Sequence, residues 1–355
     1  MTAWQASEPG EAADAPGTHP PGLDPDRLGG WLRTAVPGVG ERLTATLLTG
    51  GKSNLTYRVA DEHGRSWVVR RPPLGHVLAT AHDMGREYRV MTALRDTGVP
   101  VPRTCARCDD DTVLGAPFYV MEHVAGTPYR YASELVALGP ERTRAISTRL
   151  VDTLAVLHEV DPAAVGLAGF GRPAGFLARQ VRRWRTQLDA SHTRDLPAAD
   201  ELHRRLAEDV PDESAPGIVH GDYRLDNVLV DGTDRIAAVI DWEMATLGDP
   251  LTDLALLVLY QRLGALPGRT AVADAASAPG HLTEPEILER YAARSRRDLS
   301  RLGFHLGLAA FKLAAILEGI HCRHLRGHTV GAGFEHVGDT VVPLLDLGLT
   351  ALKET

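Results

Sequence analysis

The sequence predicts an α+β fold, in which a small, strand-rich N-terminal lobe precedes a larger and mainly helical C-terminal lobe. Between residues 43 and 71, short β-prone runs alternate with Gly-containing turns, as in an antiparallel meander. Beyond Gly126, apolar residues recur every three to four positions over long stretches, which is typical of helices. We therefore divide the chain into a disordered tail (1–22), an N-lobe (23–124) and a C-lobe (125–355).

The elements of the N-lobe follow from local patterns. The tail is rich in Pro, Gly and acidic residues and has no apolar periodicity. Asp24 or Asp26 can cap a first helix that ends before Pro37. Beyond it we expect strands at 43–48, 57–60 and 66–71, a helix within 80–96, and two strands within 112–124 around Gly115.

The C-lobe carries the same kind of local signals. Short buried strands are expected at 218–219, 228–230 and 236–240, on either side of a polar loop. Apolar positions at helical spacing predict helices at 143–158, 176–190, 196–209, 251–263, 284–302 and 304–325.

The bulk composition narrows the class of protein. The chain has 355 residues, of which 44% are hydrophobic and 24% charged, as in an ordinary soluble globular protein. A net charge of -8 argues against a nucleic-acid partner, because nucleic-acid-binding surfaces are basic. Three cysteines are too few for a disulfide framework. We found neither a signal peptide nor an apolar run of about 18 residues, so we expect a cytoplasmic protein that does not bind a membrane.

Three motifs in the C-lobe carry the chemistry. The first is H-G-D-x-x-x-x-N, which places a carboxylate (Asp222) and an amide (Asn227) on one turn. Phosphoryl transfer needs such a pair, one group to orient the attacking hydroxyl and one to hold a metal. The second is I-D-W-E, whose Asp241 ends a buried strand and offers the hard oxygen ligands that Mg²⁺ prefers. The third is G-D-P-x-x-D, which contains Asp249 and Asp253 at a helix start.

In this order and spacing, the motifs resemble those of the aminoglycoside phosphotransferase and choline kinase superfamily, whose members are relatives of protein kinases. The chain is most similar to the kinase-like domain related to that of acyl-CoA dehydrogenase-fused phosphotransferases. The resemblance covers about residues 40–345. Besides the motifs, it rests on the runs at 51–57, 67–73, 86–90, 118–122 and 316–320.

The resemblance implies a two-lobed protein-kinase-like fold and an ATP-dependent enzyme that phosphorylates a hydroxyl of a small metabolite, for example a hydroxyacyl-CoA, or of an antibiotic. It implies ATP and Mg²⁺ as cofactors, Asp222 as the catalytic base, and Asn227 and Asp241 as catalytic Mg²⁺ ligands. His220 would brace the loop, and Asp249 and Asp253 would hold it. The structural alternatives are a turn cap for Asp222, a buried hydrogen-bonding pair for Asn227 and Asp241, and a helix cap for Asp249.

The resemblance also implies a nucleotide site in the N-lobe. Gly51, Ser53 and Asn54 belong to a glycine loop whose backbone N–H groups can approach phosphate, although a Gly-Gly pair between strands is usually a plain hairpin turn. Backbone groups near Glu122 and Val124 would bind adenine at the hinge. The acceptor pocket would come from the late helices. Cations at 321–326 could bind an anionic acceptor there, or simply favour a helix C-terminus.

The strand that carries a lysine in protein kinases here has arginines. Alternation puts Val68 and Arg70 on one face and Val69 and Arg71 on the other, and either pair suits an adenine and phosphate contact. The resemblance favours Val68 and Arg70, with Glu87 as the ion-pair partner unless that side chain is a solvated helix charge. Because the lysine is missing, a nucleotide-binding pseudokinase that acts as an interaction module is the alternative function.

Overall fold

We describe a computed structural model that covers residues 19–48, 54–75, 83–191, 193–212, 215–265, 274–329 and 334–354. Within these residues the strands are β1 (Leu43–Leu47), β2 (Leu55–Asp61), β3 (Ser66–Arg71), β4 (Thr104–Cys108), β5 (Phe118–Glu122), β6 (Gly217–Val219), β7 (Val228–Val230), β8 (Ile236–Val239) and β9 (Thr246–Gly248). The helices are α1 (Pro25–Ala35), α2 (Met84–Leu94), α3 (Asp111–Leu114), α4 (Ala132–Val136), α5 (Pro140–Glu159), α6 (Phe176–Ala190), α7 (Pro197–Glu208), α8 (Leu251–Gly264), α9 (Glu284–Ala292), α10 (Leu302–Leu325) and α11 (Val341–Ala351).

The chain divides into two compact units. The first unit comprises Met1–Pro128 and Asp226–Ala245, and the second comprises Tyr129–Leu225 and Thr246–Thr355. The division lies close to the expected lobe boundary at residue 124. The sequence did not indicate that residues 226–245, which contain Asn227 and Asp241, group with the first unit.

The first unit is built on a five-stranded antiparallel sheet in the order β1-β2-β3-β5-β4. Helix α1 begins after Asp24, whose side chain accepts hydrogen bonds from Asp26 N and Arg27 N, as one of the two expected caps. Its buried Leu28 and Leu32 pack in one apolar core with sheet residues that include Tyr57 and Val69. One face of the sheet is therefore fixed by hydrophobic burial.

The prediction of two strands within 112–124 was wrong for the first of them. Residues 111–114 form the short helix α3, and the second neighbour of β5, besides β3, is β4 at Thr104–Cys108. The side chain of Asp110 accepts a hydrogen bond from Thr112 N at 2.8 Å, which starts a helical turn. Gly115 ends it in the left-handed conformation at φ 81°. These caps outweigh the β-propensity of Thr112 and Val113.

A separate hairpin, β7–β8, completes the first unit. Val228 pairs with Val239, and Thr127 and Val230 exchange backbone hydrogen bonds of 2.8 and 3.0 Å. Val239 N also donates to Pro100 O at 2.8 Å. The hairpin is thus hydrogen-bonded to the first unit at two places.

The second unit is mainly helical, as expected, and contains the small antiparallel pair β6–β9. The predicted helix at 284–302 is shorter, because α9 ends at Ala292, and α11 was not predicted. Helix α10 is long and apolar enough to cross a membrane by length and composition, which the search of the sequence missed. However, 83% of its apolar window is buried, as in the core helix of a soluble protein.

The buried cation Arg71 gives a test of this fold. Arg71 is 4% exposed, and its Nη1 donates to Gly22 O at 2.5 Å and to Leu114 O at 2.6 Å. Arg71→Met should lower the free energy of unfolding by about 2–4 kcal/mol, because a buried and a half-buried carbonyl lose a charged donor. Chemical denaturation measures this loss. The exposed strand residue Arg58 provides the control, since Arg58→Met should change stability by less than about 0.5 kcal/mol. Equal stability of the two variants would contradict the assignment.

Candidate active site

The candidate site in the first unit is organised around the guanidinium of Arg70, which is 5% exposed. Arg70 Nη2 donates to Asp241 Oδ1 at 2.6 Å and lies 3.7 Å from Glu243 Oε2. Arg70 Nε lies 3.2 Å from Glu87 Oε2. The predicted Arg70–Glu87 pair therefore forms, and it belongs to a larger cluster that we call the acidic cluster: Arg70, Glu87, Asp241 and Glu243.

Side chains alternate between the two faces of the sheet along β3, and this alternation places Arg70 in the acidic cluster. Val69, one position earlier, faces the apolar core, and Arg71, one position later, binds the carbonyls of Gly22 and Leu114. Val68 is fully buried and shares the face of Arg70. The expected division of faces is thus correct, whereas the role of Val68 beside adenine stays a prediction.

Two neutral side chains complete the acidic cluster. Tyr119 Oη donates to Glu87 Oε2 at 3.0 Å. Asn54 Nδ2 lies between two carboxylates, at 3.3 Å from Glu87 Oε1 and 3.2 Å from Glu243 Oε2. Asn54 is the part of the predicted glycine loop that can be placed, since Gly51 and Ser53 lie outside the described residues. Sequence reasoning gave no role to Tyr119 or Glu243.

The acidic cluster places three carboxylates around one cation, and this arrangement shifts the pKa values of its members. Burial raises the pKa of Glu87 to about 7; Arg70 opposes this shift and Asp241 adds to it. Burial and then the charge of Asp241 raise the pKa of Glu243 to about 7. Although burial lowers it, Glu87 and Asp241 hold the pKa of Arg70 well above its ordinary value. The cluster therefore carries more carboxylates than one guanidinium can neutralise, which favours an additional cation.

The hairpin β7–β8 brings Asn227 and Asp241 together. Asn227 directly precedes β7, and Asp241 lies two residues after β8. Ile240 N donates to Asn227 O at 3.0 Å, which holds the two chain segments side by side. Asp241 adopts the left-handed conformation, with φ 65° and ψ 62°. Such a conformation costs a non-glycine residue on the order of 1–3 kcal/mol and is common at functional sites.

These side chains fit Mg²⁺ by their chemistry. An amide oxygen and a carboxylate are the hard ligands that the ion takes, and Mg²⁺ usually binds one or two protein carboxylates while phosphate and water complete its shell. No group of three or more His, Cys, Asp or Glu residues that could hold a metal occurs in the part of the chain that is described. A Mg²⁺ ion held by Asn227 and Asp241 would take its remaining oxygens from phosphate and water.

The predicted hinge residues lie next to these elements. Glu122 ends β5, where its N donates to Arg103 O at 2.8 Å. Val124 packs against Leu229, Ala238 and Ile240 of the hairpin. The structure places both residues in the first unit, and their contact with adenine stays a prediction.

The second unit contains Asp222 on a loop that Asp253 holds. The two oxygens of Asp253 accept hydrogen bonds from His220 N at 2.6 Å and from Gly221 N at 2.8 Å. Asp222 N donates to His220 Nδ1 at 3.2 Å, so His220 braces the loop as expected. His158 Nε2 lies 3.5 Å from Asp253 Oδ2. Asp253 is 1% exposed, and its carboxylate fixes the loop from inside the fold.

Asp249 has a different set of partners. Its Oδ1 accepts a hydrogen bond from Leu251 N at 3.0 Å, as the alternative of a helix cap predicted. Its Oδ2 lies 3.0 Å from His305 Nε2 of α10. Asp249 thus joins the start of α8 to α10.

Two cations lie near Asp222 that sequence reasoning did not place in the site. Arg224 Nε lies 3.5 Å from Asp222 Oδ2, and Lys312 Nζ of α10 donates to Gly221 O. Burial raises the pKa of Asp222, but Arg224 and Lys312 outweigh burial and hold it below its ordinary value. Asp222 is therefore ionised at neutral pH. The available signal was a lone lysine in the apolar run 306–317.

Comparisons with known proteins identify the class. A family model described as the phosphotransferase enzyme family matches residues 44–304, so the chain belongs to this family. This confirms the resemblance, the kinase-like fold and the prediction of a phosphotransferase with a hydroxyl acceptor.

The chain is also similar in sequence to individual curated proteins. The chain is 35% identical to acyl-CoA dehydrogenase family member 11 of Gallus gallus over 93% of its own length and 44% of that protein. It is 34% identical to the Homo sapiens protein of the same name, over 94% of its own length and 44% of that protein. It therefore spans less than half the length of these curated relatives.

Solved structures agree with the fold. A Ralstonia eutropha protein assigned to the aminoglycoside phosphotransferases is 33% identical, with a TM-score of 0.81 over 93% of this chain and 98% of that one. A thermostable variant of the aminoglycoside phosphotransferase APH(4)-Ia, in complex with AMP-PNP and hygromycin B, is 16% identical. It has a TM-score of 0.60 over 92% of this chain and 99% of that one. This second likeness shows the fold alone.

A double-mutant cycle on Arg70 and Glu87 tests the acidic cluster. Arg70→Met should lower the free energy of unfolding by about 3–5 kcal/mol, because buried carboxylates lose their cation. Adding Glu87→Gln should recover part of that loss, since one carboxylate is then removed. The two effects, measured by chemical denaturation, should depart from additivity by about 1–3 kcal/mol.

The control pair for this cycle is Arg95 and Asp96, whose side chains are 46% and 83% exposed and whose ion pair is 3.2 Å long. Their cycle should be additive within about 0.5 kcal/mol, as is usual for exposed pairs. Additivity of the Arg70 and Glu87 substitutions would mean that the cluster does not act as a unit.

Proposed function

We propose that this enzyme is an ATP-dependent small-molecule kinase, which transfers the γ-phosphoryl group of ATP to a hydroxyl of a small metabolite. The observation that carries the proposal is the pairing of Asn227 and Asp241 at the end of one hairpin, with Arg70 bonded to Asp241 at 2.6 Å. The solved complexes of fold neighbours with AMP-PNP and with ADP support the choice of an adenine nucleotide.

In this proposal Asn227 and Asp241 would hold Mg²⁺, which would supply positive charge to neutralise the phosphates. Arg70 binds phosphate oxygens, a task for which its forked, permanently charged guanidinium is suited. Glu87 keeps that fork oriented. Gly51, Ser53, Asn54, Val68, Glu122 and Val124 contribute the remaining nucleotide contacts.

Asp222 orients the acceptor hydroxyl and takes its proton as the O–P bond forms. Its lowered pKa suits this task, since a carboxylate that is always ionised is ready to accept a hydrogen bond from the hydroxyl. Asp222 and Asn227 are separated by only four residues in the chain. The base and the metal ligand are thus parts of one short loop sequence.

Among acceptors, the names of the curated relatives support a hydroxyacyl-CoA, because those proteins are described as acyl-CoA dehydrogenase family members. An antibiotic is supported by fold neighbours that were solved with hygromycin B, at identities of 16–19%. We favour the metabolite. A screen of both acceptor groups, followed by ADP release, would separate them.

Asp241→Asn tests the metal site. Calorimetric titration of the parent with AMP-PNP should give tighter binding with Mg²⁺ than without it. The variant should lose this dependence, because an amide is a much weaker ligand for Mg²⁺ than a carboxylate. Asp96→Asn, which removes an exposed carboxylate of the same unit, should behave as the parent does. Mg²⁺-dependent binding that survives in Asp241→Asn would sink the assignment.

Asp222→Asn tests the base separately. AMP-PNP affinity should be close to that of the parent, while kcat should fall by about 10²–10⁴-fold, the range for loss of a general base. Asp346→Asn, an exposed change on α11, should leave kcat unchanged. Full activity in Asp222→Asn would show that a different group accepts the proton.

A further inference from the structure

Helix α10 carries one charge in an otherwise apolar stretch. Between residues 306 and 317, Lys312 is flanked by Phe311 and Leu313, both of which are buried. Burying the stem of a lysine and desolvating its ammonium group is costly unless the charge has partners. Packing alone therefore does not explain a lysine at position 312, and its ammonium group should have specific partners.

The contacts of Lys312 point to the loop that holds Asp222. Lys312 Nζ donates to the carbonyl oxygen of Gly221, the residue before Asp222. The same ammonium lies 5.6 Å from the centre of the Trp184 ring, which is within the range of a cation–π contact. The ammonium group of Lys312 has three N–H bonds. The hydrogen bond to Gly221 and the contact with the Trp184 ring therefore leave one N–H that can donate to a ligand.

Arg224 is a second cation at this loop, and it lies close to the carboxylate of Asp222. Its Nε lies 3.5 Å from Asp222 Oδ2, and its guanidinium lies over the ring of Tyr260 at 5.1 Å. Trp184 and Tyr260 are both largely buried, so each cation rests on an aromatic surface. Arg224 and Lys312 thus flank the base from two different elements, the loop and α10.

The acidic residue near these two cations, Asp253, is more deeply buried than Lys312. Asp253 is 1% exposed, and its oxygens already accept hydrogen bonds from His220 N and Gly221 N. Lys312, in contrast, is only half-buried. The exposed Arg183 also lies over the Trp184 ring, 5.1 Å from its centre, but unlike Arg224 and Lys312 it is not among the main charges that lower the pKa of Asp222. Beside Asp222, Lys312 is therefore a half-buried positive charge, and Arg224, which is 6% exposed, is a buried one.

We propose that Lys312 and Arg224 bind an anionic group of the acceptor, a carboxylate or a phosphate close to the hydroxyl that is phosphorylated. This inference rests on the proposed function. A hydroxyl that gives its proton to Asp222 must lie within hydrogen-bond distance of that carboxylate. An anionic group a few bonds away then meets the two cations, whereas a polycationic aminoglycoside would be repelled by them.

The selectivity for charge can be measured without knowing the natural acceptor. The probes are matched pairs that differ in charge: lactate with lactamide, and glycerol phosphate with glycerol, with kanamycin as the cationic probe. Turnover is followed by ADP release in the parent enzyme. We expect kcat/KM to favour an anionic member over its neutral partner by about 10- to 100-fold, the scale of a hydrogen bond to a charged group. The two pairs distinguish a carboxylate from a phosphate ligand.

Variants separate binding of the acceptor from bracing of the loop. Lys312→Met should raise KM for the anionic probe and bring the two members of the pair to similar kcat/KM, and Lys312→Arg should keep much of the preference. Arg183→Met, which removes the other cation on Trp184, is the control and should retain the preference of the parent. If Lys312 only braces Gly221, Lys312→Met will lower kcat equally for both members.

Three results would overturn the proposal: an equal loss for both members, a preference for the neutral or cationic probes, or no turnover of any anionic probe by an enzyme that hydrolyses Mg²⁺-ATP without acceptor. Failure of that hydrolysis, together with a lack of Mg²⁺-dependent AMP-PNP binding, would instead count against the proposed kinase function. The two failures are thus distinguishable.

Discussion

The guanidinium of Arg70 is the group on which the proposed nucleotide site of the first unit depends. It is the shared partner of Glu87 from α2, of Asp241 after β8, and of Glu243 in the following turn. Without a cation, three carboxylates in so small and buried a space would repel one another strongly. Arg70 therefore ties a strand, a helix and a hairpin end into one cluster.

A second constraint acts on the loop that carries Asp222 in the second unit, where the carboxylate of Asp253 has the corresponding role with the opposite charge. Its carboxylate is satisfied by two backbone N–H groups of the loop that carries Asp222. Hydrogen bonds to its main chain therefore hold the loop, and these bonds do not use the side chains of Asp222 and Arg224. Lys312 adds a contact from α10 to the same loop. Rigid support of a short polar loop is what pre-organised catalytic groups require.

Much of this could be read from the sequence, for reasons that differ between residues. Strand alternation put Arg70 and Arg71 on different faces, the family resemblance chose Arg70, and motif order pointed to Asp222, Asn227 and Asp241. The short helix at 111–114 was missed because its caps, Asp110 and Gly115, outweigh β-branched residues. Glu243, Tyr119 and Lys312 were missed for a different reason, since their roles arise from tertiary contacts over distances that no local pattern records.

The central claim, that Arg70 binds the phosphates of the nucleotide, is tested most directly by comparing ATP with adenosine. A variant that carries both Arg70→Gln and Glu87→Gln removes a cation and one of its carboxylates together, which limits the cost to folding. Calorimetry with Mg²⁺ should show that the parent binds ATP more tightly than adenosine, and that this difference shrinks by about 10-fold or more in the variant while adenosine affinity is kept. An unchanged preference for ATP in the folded variant would contradict the account.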